Sequence, residues 1–152
     1  MKSLVVLSSY HHNNTEKIAT VIAKVLDAQI KTPQQTGAEE LEGYDMIGFG
    51  SGIYSGRHHK DLLNFADRLP IMTKKAFIFS TSGVKSDKFH ALLREKLQAK
   101  GYIIVDEFSC KGFNTNSFLN IFGGMNKGRP NAEDLKHAEE FAVNLRQNLQ
   151  KT

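Results

Sequence analysis

The sequence has a single cysteine, Cys110, and only three prolines among its 152 residues. One cysteine excludes an internal disulfide and a CxxC redox centre, and it favours a reducing, cytoplasmic compartment. No apolar run approaches the ~20 residues that span a bilayer, and the N-terminus lacks the apolar stretch and cleavage site of a signal peptide. We therefore expect a cytoplasmic protein that does not insert into a membrane.

Clusters of like charge are also absent. The formal net charge is +4 and the sequence pI is about 9.2, but the basic residues are scattered, as in the pair Lys74 and Lys75. Without a cluster of five or more basic residues or an interleaved aromatic pattern, nucleic-acid binding is not expected. The mild excess favours acidic partners or anionic ligands. With 40% hydrophobic residues and a length close to the commonest domain size, residues 1–152 are expected to form one globular domain.

Short apolar runs alternate with longer segments whose apolar residues recur at helical spacing. This alternation is typical of a parallel α/β sheet. Strands are predicted over residues 3–8, 28–32, 44–50, 76–80 and 102–108. Helices are predicted over residues 14–27, 62–69 and 89–97, followed by a terminal helix that Asn131 caps.

Three unusual loops follow the first, third and fourth predicted strands, at residues 8–15, 50–59 and 80–87. The carboxyl ends of parallel strands meet at the same edge of a sheet, which is where ligands bind in open α/β folds. We therefore expect these three loops to converge on one site.

The first loop carries the chemistry that suits a phosphate group. Ser8, Ser9 and Thr15 offer hydroxyl groups, Asn13 and Asn14 offer amides, and a helix begins directly after them. The free N–H groups at a helix N-terminus favour an anion. A plain helix cap at Asn14 or Thr15 is the alternative explanation of these residue types.

With its Ser/Thr-rich turn ending in Asn14-Thr15, the chain resembles the flavodoxin family. The resemblance implies a flavodoxin-like three-layer α/β sandwich with a five-stranded parallel sheet of order 2-1-3-4-5. It also implies one non-covalently bound flavin mononucleotide (FMN). By resemblance, the residues around its phosphate would be Ser9, Tyr10, His11, Asn13, Asn14 and Thr15.

The other two loops suit the flavin ring. In the second, one aromatic side chain stands among permissive glycines, and resemblance implies that this loop packs against the isoalloxazine through Gly52, Ile53, Tyr54, Ser55 and Gly56. An ordinary glycine turn would have the same composition. The stretch from Ile53 to Lys60 also resembles the flavodoxin-type protoporphyrinogen oxidases. In the third loop, resemblance implies backbone donors to the pyrimidine edge from Thr81, Ser82, Gly83 and Val84.

The segment over residues 111–130 is predicted to be a long loop. Its aromatic, glycine and methionine side chains either pack over the end of the sheet or approach the ring. The residues concerned are Phe113, Asn114, Asn116, Phe118, Phe122, Gly123, Gly124 and Met125.

Other readings of the loops are weaker. The pairs His11-His12 and His58-His59 suggest a metal site, but adjacent side chains point in different directions and Cys110 shows no ligand spacing. A phosphorylated receiver domain would place acidic residues where Ser8 and Ser9 stand. No GxGxxG follows the first strand and no GxSxG elbow is present, which disfavours a dinucleotide-binding fold and a serine hydrolase.

Two functions remain once FMN is accepted. An electron carrier between redox partner proteins needs only a tuned flavin with one exposed edge, and it is favoured because the sequence offers no evident general acid, base or nicotinamide site. An FMN-dependent oxidoreductase would act on a small-molecule acceptor such as a quinone, a porphyrinogen or a nicotinamide. The basic run from Arg57 to Lys60 and the lack of an aromatic between Ser80 and Lys88 support this alternative. No catalytic residue is assigned.

Overall fold

Strands and helices alternate along the chain, as the apolar periodicity predicts. The structure, a computed structural model, describes residues 2–9, 14–83, 86–111 and 130–150. Several predicted site residues lie outside these ranges, namely Tyr10, His11, Asn13, Val84 and the whole Phe113 to Met125 stretch. None of the described helices is long and apolar enough to cross a membrane.

Six strands and four α-helices make up the described elements. The strands are β1 (Ser3–Ser8), β2 (Gln29–Lys31), β3 (Met46–Tyr54), β4 (Arg57–His58), β5 (Lys74–Ser82) and β6 (Tyr102–Lys111). The α-helices are α1 (Asn14–Leu26), α2 (Lys60–Arg68), α3 (Ala91–Ala99) and α4 (Ala132–Gln150). Short 3-10 helices occupy Pro33–Gln35, Ala38–Gly43 and Asp87–His90.

The sheet has the order β2-β1-β3-β5-β6, and every pair along this path is parallel. Counting only the parallel strands, this is the predicted order 2-1-3-4-5. The remaining strand, β4, pairs antiparallel with the end of β3 and was not predicted. The flavodoxin-like α/β fold is therefore confirmed, with one added strand beside the expected site.

The added strand exists because β3 continues past the predicted boundary. Residues 50–59 were predicted to be a glycine-rich loop, but the strand runs to Tyr54 and pairs Tyr54 with Arg57 across a tight turn. Ser55 and Gly56 form that turn with φ values of 52° and 80°. Two consecutive residues with positive φ match the right-handed twist of a two-residue hairpin. The glycines thus shape a hairpin rather than a loop.

The predicted cap of the terminal helix is confirmed. The backbone N–H of Asp134 donates to Asn131 Oδ1 at 3.0 Å, and the N–H of Asn131 donates to Asp134 Oδ2 at 2.8 Å. This reciprocal pair satisfies two N–H groups at the start of α4.

Each face of the sheet has its own apolar core. One core lies under α2 and α3 and includes Phe49, Ile78 and Leu97, and the other lies under α1 and α4 and includes Phe79 and Phe141. Because side chains alternate along a strand, β5 sends Ile78 to the first core and Phe79 to the second. A Cβ added at Gly50 would lie 2.2 Å from the Phe79 ring, so glycine allows the ring to pack on β3.

A register shift divides the edge strand β6. Ala76 pairs with Ile104, but the next residue, Phe77, pairs with Asp106, which leaves Val105 as the extra residue of a bulge. Beyond the bulge, Ile78 pairs with Glu107. The bulge therefore turns Glu107 toward the α2 and α3 face.

Candidate functional site

Two of the three predicted loops are joined by a direct hydrogen bond. Thr15 Oγ1, in the first turn of α1, lies 2.7 Å from Thr81 Oγ1 near the end of β5. Both residues are buried, with exposed fractions of 2% and 4%. The start of α1 and the carboxyl end of β5 are thus held at the same edge of the sheet, as the strand order predicts.

Ser9 places a buried hydroxyl at the same edge. It directly follows β1, and its Oγ has no hydrogen-bond partner among the described residues. A buried hydroxyl without a partner is uncommon, because leaving one unsatisfied costs about 1–3 kcal/mol. The hydroxyl and the N-terminus of α1 form a donor set that fits the oxygens of a phosphate. Asn14, the first residue of α1, is buried beside them.

The hairpin between β3 and β4 carries the predicted aromatic. A Cβ added at Gly52 would lie 3.2 Å from the Tyr54 hydroxyl, so the Tyr54 ring folds back against the glycine backbone. The Tyr54 ring also contacts the His59 ring in a T-shaped arrangement, with 5.1 Å between the ring centroids. Ile53 is half-buried, whereas Ser55 and Gly56 are exposed at the tip.

The two adjacent histidines of the hairpin have separate structural partners. His59 Nδ1 accepts from the backbone N–H of Asp61 at 3.0 Å and so caps α2. The backbone N–H of His59 donates to Ser51 Oγ at 2.9 Å. His58 instead points into the protein. Within the part of the chain that the structure describes, no group of three His, Cys, Asp or Glu side chains is placed to hold a metal ion.

His58 is a buried, neutral imidazole with only 1% of its surface exposed. Burial lowers its pKa to about 3, with a smaller contribution from the neighbouring His90. Its Nε2–H donates to the carbonyl of Phe79 at 3.1 Å, which leaves Nδ1 as a deprotonated acceptor. That buried Nδ1 has no partner among the described residues.

Next to His58 runs a hydrogen-bonded chain that the sequence did not reveal. Ser80 Oγ lies 2.7 Å from His90 Nε2, and His90 Nδ1 lies 2.8 Å from Glu107 Oε1. Arg94 then binds both oxygens of Glu107, at 2.7 and 2.8 Å. The rings of His58 and His90 are 4.9 Å apart. We call Ser80, His90, Glu107 and Arg94 the histidine chain.

The charges within the histidine chain are paired. Burial alone would raise the pKa of Glu107, but the hydrogen bonds and positive charge of Arg94, helped by His90, lower it below the usual value. The carboxylate is therefore ionised near neutral pH. Ser80 has an exposed fraction of 1% and His90 of 5%, so their hydrogen bond is protected from bulk water.

A groove of about 450 Å³ opens beside the hairpin. Its walls include Tyr54, Arg57, His58, Lys60, Leu63 and Leu92. Arg57 and Lys60 are exposed and form no ion pair with any described residue. At its far end Lys96 pairs with Asp67 at 2.8 Å. The groove combines apolar walls with positive charge next to the predicted ring site.

The structure brings together most of the described candidates. Ser9, Asn14, Thr15 and Thr81 lie at the edge formed by β1, α1 and β5, with half-buried Ser82 and Gly83 following Thr81. The five hairpin candidates, residues 52–56, lie at the end of β3 and in the turn that follows it. Sequence reasoning missed the histidine chain, and His90 had no local motif that would mark it.

Comparisons with known proteins agree with this architecture. A family model described as a flavodoxin domain matches residues 4–125. An uncharacterized protein of Methanocaldococcus jannaschii is 49% identical over 150 residues, covering 97% of this chain and all of that protein. The sequence likeness to this protein therefore extends beyond the residues that the family model matches.

Solved structures share the fold at low sequence identity. Oxidised flavodoxin 2 from Bacillus cereus superposes with a TM-score of 0.73 at 20% identity, covering 97% of this chain and 99% of that one. A flavodoxin from the domain Archaea gives a TM-score of 0.71 at 16% identity, with 99% of each chain covered. These two likenesses concern the fold alone.

Proposed function

Because this chain belongs to the flavodoxin domain family, we propose that it binds one FMN without a covalent bond and carries electrons between redox partner proteins. The observation that supports FMN binding best is the buried Ser9 hydroxyl, which follows β1 and has no hydrogen-bond partner among the described residues. Ser9, Asn14 and Thr15 would hold the phosphate through hydroxyl, amide and backbone donors. Tyr10, His11 and Asn13 would complete this set from the segment between them.

The ring would lie between the hairpin and the end of β5. Gly52, Ile53, Tyr54, Ser55 and Gly56 would pack against it from the hairpin side. Thr81, Ser82, Gly83 and Val84 would turn their backbone N–H groups toward its pyrimidine edge. When bound, FMN supplies one-electron and two-electron transfer, and the protein's part is to hold the ring and set its potential.

The Thr15 to Thr81 hydrogen bond would organise this site before the cofactor arrives. It ties the phosphate loop to the loop that faces the pyrimidine edge. Preorganisation of this kind lowers the entropy that is lost on binding. The single cysteine supports a cytoplasmic place of action.

The first test is the absorbance spectrum of the purified protein, with the released cofactor identified by mass. Apoprotein is then titrated with FMN while the flavin fluorescence is followed. We expect Thr15→Val to weaken FMN binding about tenfold, because the substitution keeps the side-chain volume and removes the hydroxyl. Thr20→Val is the matched control, since Thr20 bonds only the carbonyl of Glu16 on the exposed side of α1.

Stoichiometric binding with unchanged affinity in Thr15→Val would remove Thr15 from the site. No FMN uptake at all would contradict the proposed cofactor.

The groove beside the hairpin favours a second candidate, an FMN-dependent oxidoreductase. Its apolar walls and the unpaired charges of Arg57 and Lys60 suit an anionic, partly apolar acceptor next to the ring. Steady oxidation of NADPH or NADH by the purified protein with menadione, without an added reductase, would favour the enzyme over the carrier. If turnover is seen with an anionic quinone sulfonate, Arg57→Gln should raise KM and leave kcat largely unchanged.

A further inference from the structure

We propose that His90 takes up a proton when the bound flavin is reduced, and that the histidine chain couples flavin reduction to this exchange. The inference rests on the proposed binding of FMN. It assigns His90 as a positioning residue that responds to the charge of the cofactor without touching it.

The histidine chain reaches both ring-facing segments. Ser80, its inner end, directly precedes Thr81, Ser82 and Gly83 in the chain. His58 donates to the carbonyl of Phe79. It lies on β4, where it pairs with Ile53 of the hairpin. His90 bonds Ser80 and its ring contacts His58, so it lies behind the hairpin and the end of β5 together. A negative charge placed between these segments would act directly on the His90 ring.

His90 can gain a proton without losing a hydrogen bond. In the neutral ring, Nδ1–H donates to Glu107 and Nε2 accepts from the Ser80 hydroxyl. When Nε2 is protonated, it donates to Ser80 Oγ instead, because the hydroxyl hydrogen can rotate away. The carboxylate of Glu107 then faces the imidazolium as its counter-charge.

The charged and titratable groups around His90 favour this exchange. Glu107 comes from β6, Arg94 from α3 and His58 from β4, while β5 contributes the neutral Ser80. The bidentate Arg94 keeps Glu107 ionised, and burial lowers the pKa of His58 to about 3, so His58 stays neutral and does not compete for the proton. On α2, Asp67 pairs with Lys96 further along α3.

A separate cavity gives protons access to the histidine chain. It measures about 240 Å³ and is lined by Ser86, His90, Arg94, Glu107, Phe108 and Ser109. His90 itself is 95% buried from solvent, yet one wall of this cavity is its ring. Water entering this cavity would bring protons to the histidine chain.

The proton balance defines what is measured. Reduction of a bound FMN to its anionic form would take two electrons from an external reductant and one proton. His90 binds a second proton because the new negative charge raises its pKa. Between its pKa values in the oxidised and reduced protein, reduction therefore consumes two protons for two electrons. Above the higher value it consumes one.

The closing experiment counts these protons. FMN-loaded protein is reduced with dithionite in a spectroelectrochemical cell, and the midpoint potential is followed from pH 5 to pH 9. In the wild type we expect two protons per two electrons between the two pKa values of His90, and one above the higher value. His90→Gln should remove the transition attributable to the protein, and Glu107→Gln should move it to lower pH. His137→Gln, on the exposed side of α4, is the matched control and should leave the profile unchanged.

A direct reading of the ring protects the test against a variant that does not fold. Imidazole ¹⁵N shifts of the wild type are recorded in the oxidised and the reduced protein at several pH values. We expect His90 to be neutral when oxidised and cationic when reduced at the same pH within the window. The same protonation state in both forms at every pH would overturn the inference even if FMN binds. Failure to bind FMN in the preceding titration would instead overturn the proposed function and the inference with it.

Discussion

The two faces of the sheet end differently at the carboxyl edge. Under α1 and α4 the aromatic core around Phe79 and Phe141 is closed by one neutral hydroxyl pair, Thr15 and Thr81. Under α2 and α3 a core of similar apolar character is closed by the histidine chain and His58. The first face thus ends in uncharged hydroxyl groups, whereas the second ends in two imidazoles, a carboxylate and a guanidinium.

The contrast separates stability from function. Burial of apolar side chains stabilises both faces to a similar degree and does not depend on pH. Buried imidazoles and a paired carboxylate add a contribution that changes with pH, and only the α2 and α3 face has them among the described residues. Substitutions on the two faces should therefore be told apart by their pH profiles.

The largest effect is expected at Phe79. Phe79→Ala should lower the free energy of unfolding by about 3–5 kcal/mol, because it opens a cavity against the glycine backbone of β3. Urea melts at pH 7 and pH 5 should give the same loss at both values. Ile71→Ala, at a side chain that is 80% exposed, is the control and should change stability by less than about 0.5 kcal/mol. A loss of stability in Phe79→Ala that differs between the two pH values would contradict the proposed difference between the faces.

The next effect concerns the change of stability with pH that His58 causes. Its folded-state pKa, about 3, is below the ordinary histidine pKa of 6.5, so the unfolded chain binds the proton more readily. This contribution is present above pH 6.5 and is lost as the pH falls, by about 3 kcal/mol between pH 7 and pH 4. His58→Asn should flatten the profile of stability against pH over that range. Parallel profiles for the variant and the wild type would show that His58 is not buried in its neutral form.

The smallest of the three is expected at Glu107. Glu107→Gln should cost about 1–2 kcal/mol at pH 7, since it weakens charge-assisted bonds to Arg94 and His90 at a partly exposed site. The folded-state pKa of Glu107 is lowered from 4.5, so the difference from wild type is present above pH 4.5 and disappears as the pH falls through the lowered value. Glu133→Gln, whose carboxylate is 4.0 Å from His137 on the surface, is the control. An effect that persists in acid would mean that shape rather than charge is responsible.

Local patterns in the sequence predicted most of the fold. The buried strands and the amphipathic helices have periodicities that are visible within ten to fifteen residues, and the cap at Asn131 is a signal of three residues. The hairpin was missed because residues 50–56 are rich in glycine, which is typical of loops. The pairing of Gly52 with Thr81 and of Tyr54 with Arg57 shows that the strand continues.

The candidate site was predictable to different degrees. The convergence of Thr15 and Thr81 followed from the strand order, because both positions stand at the carboxyl edge. The histidine chain could not be predicted, since Ser80, His90 and Glu107 come from three elements and none belongs to a recognisable motif. Their meeting depends on packing of α3 and on the register of β6, which the sequence does not display locally.

That register rests on one residue. If Val105 were paired like its neighbours, every later position of β6 would change sides, and Glu107 would stand opposite Phe79 among the aromatic rings under α4. An edge strand has one bonded neighbour, so it can carry an extra residue that an inner strand would not accept. The one extra residue at Val105 thus decides on which side of the sheet the Glu107 carboxylate stands.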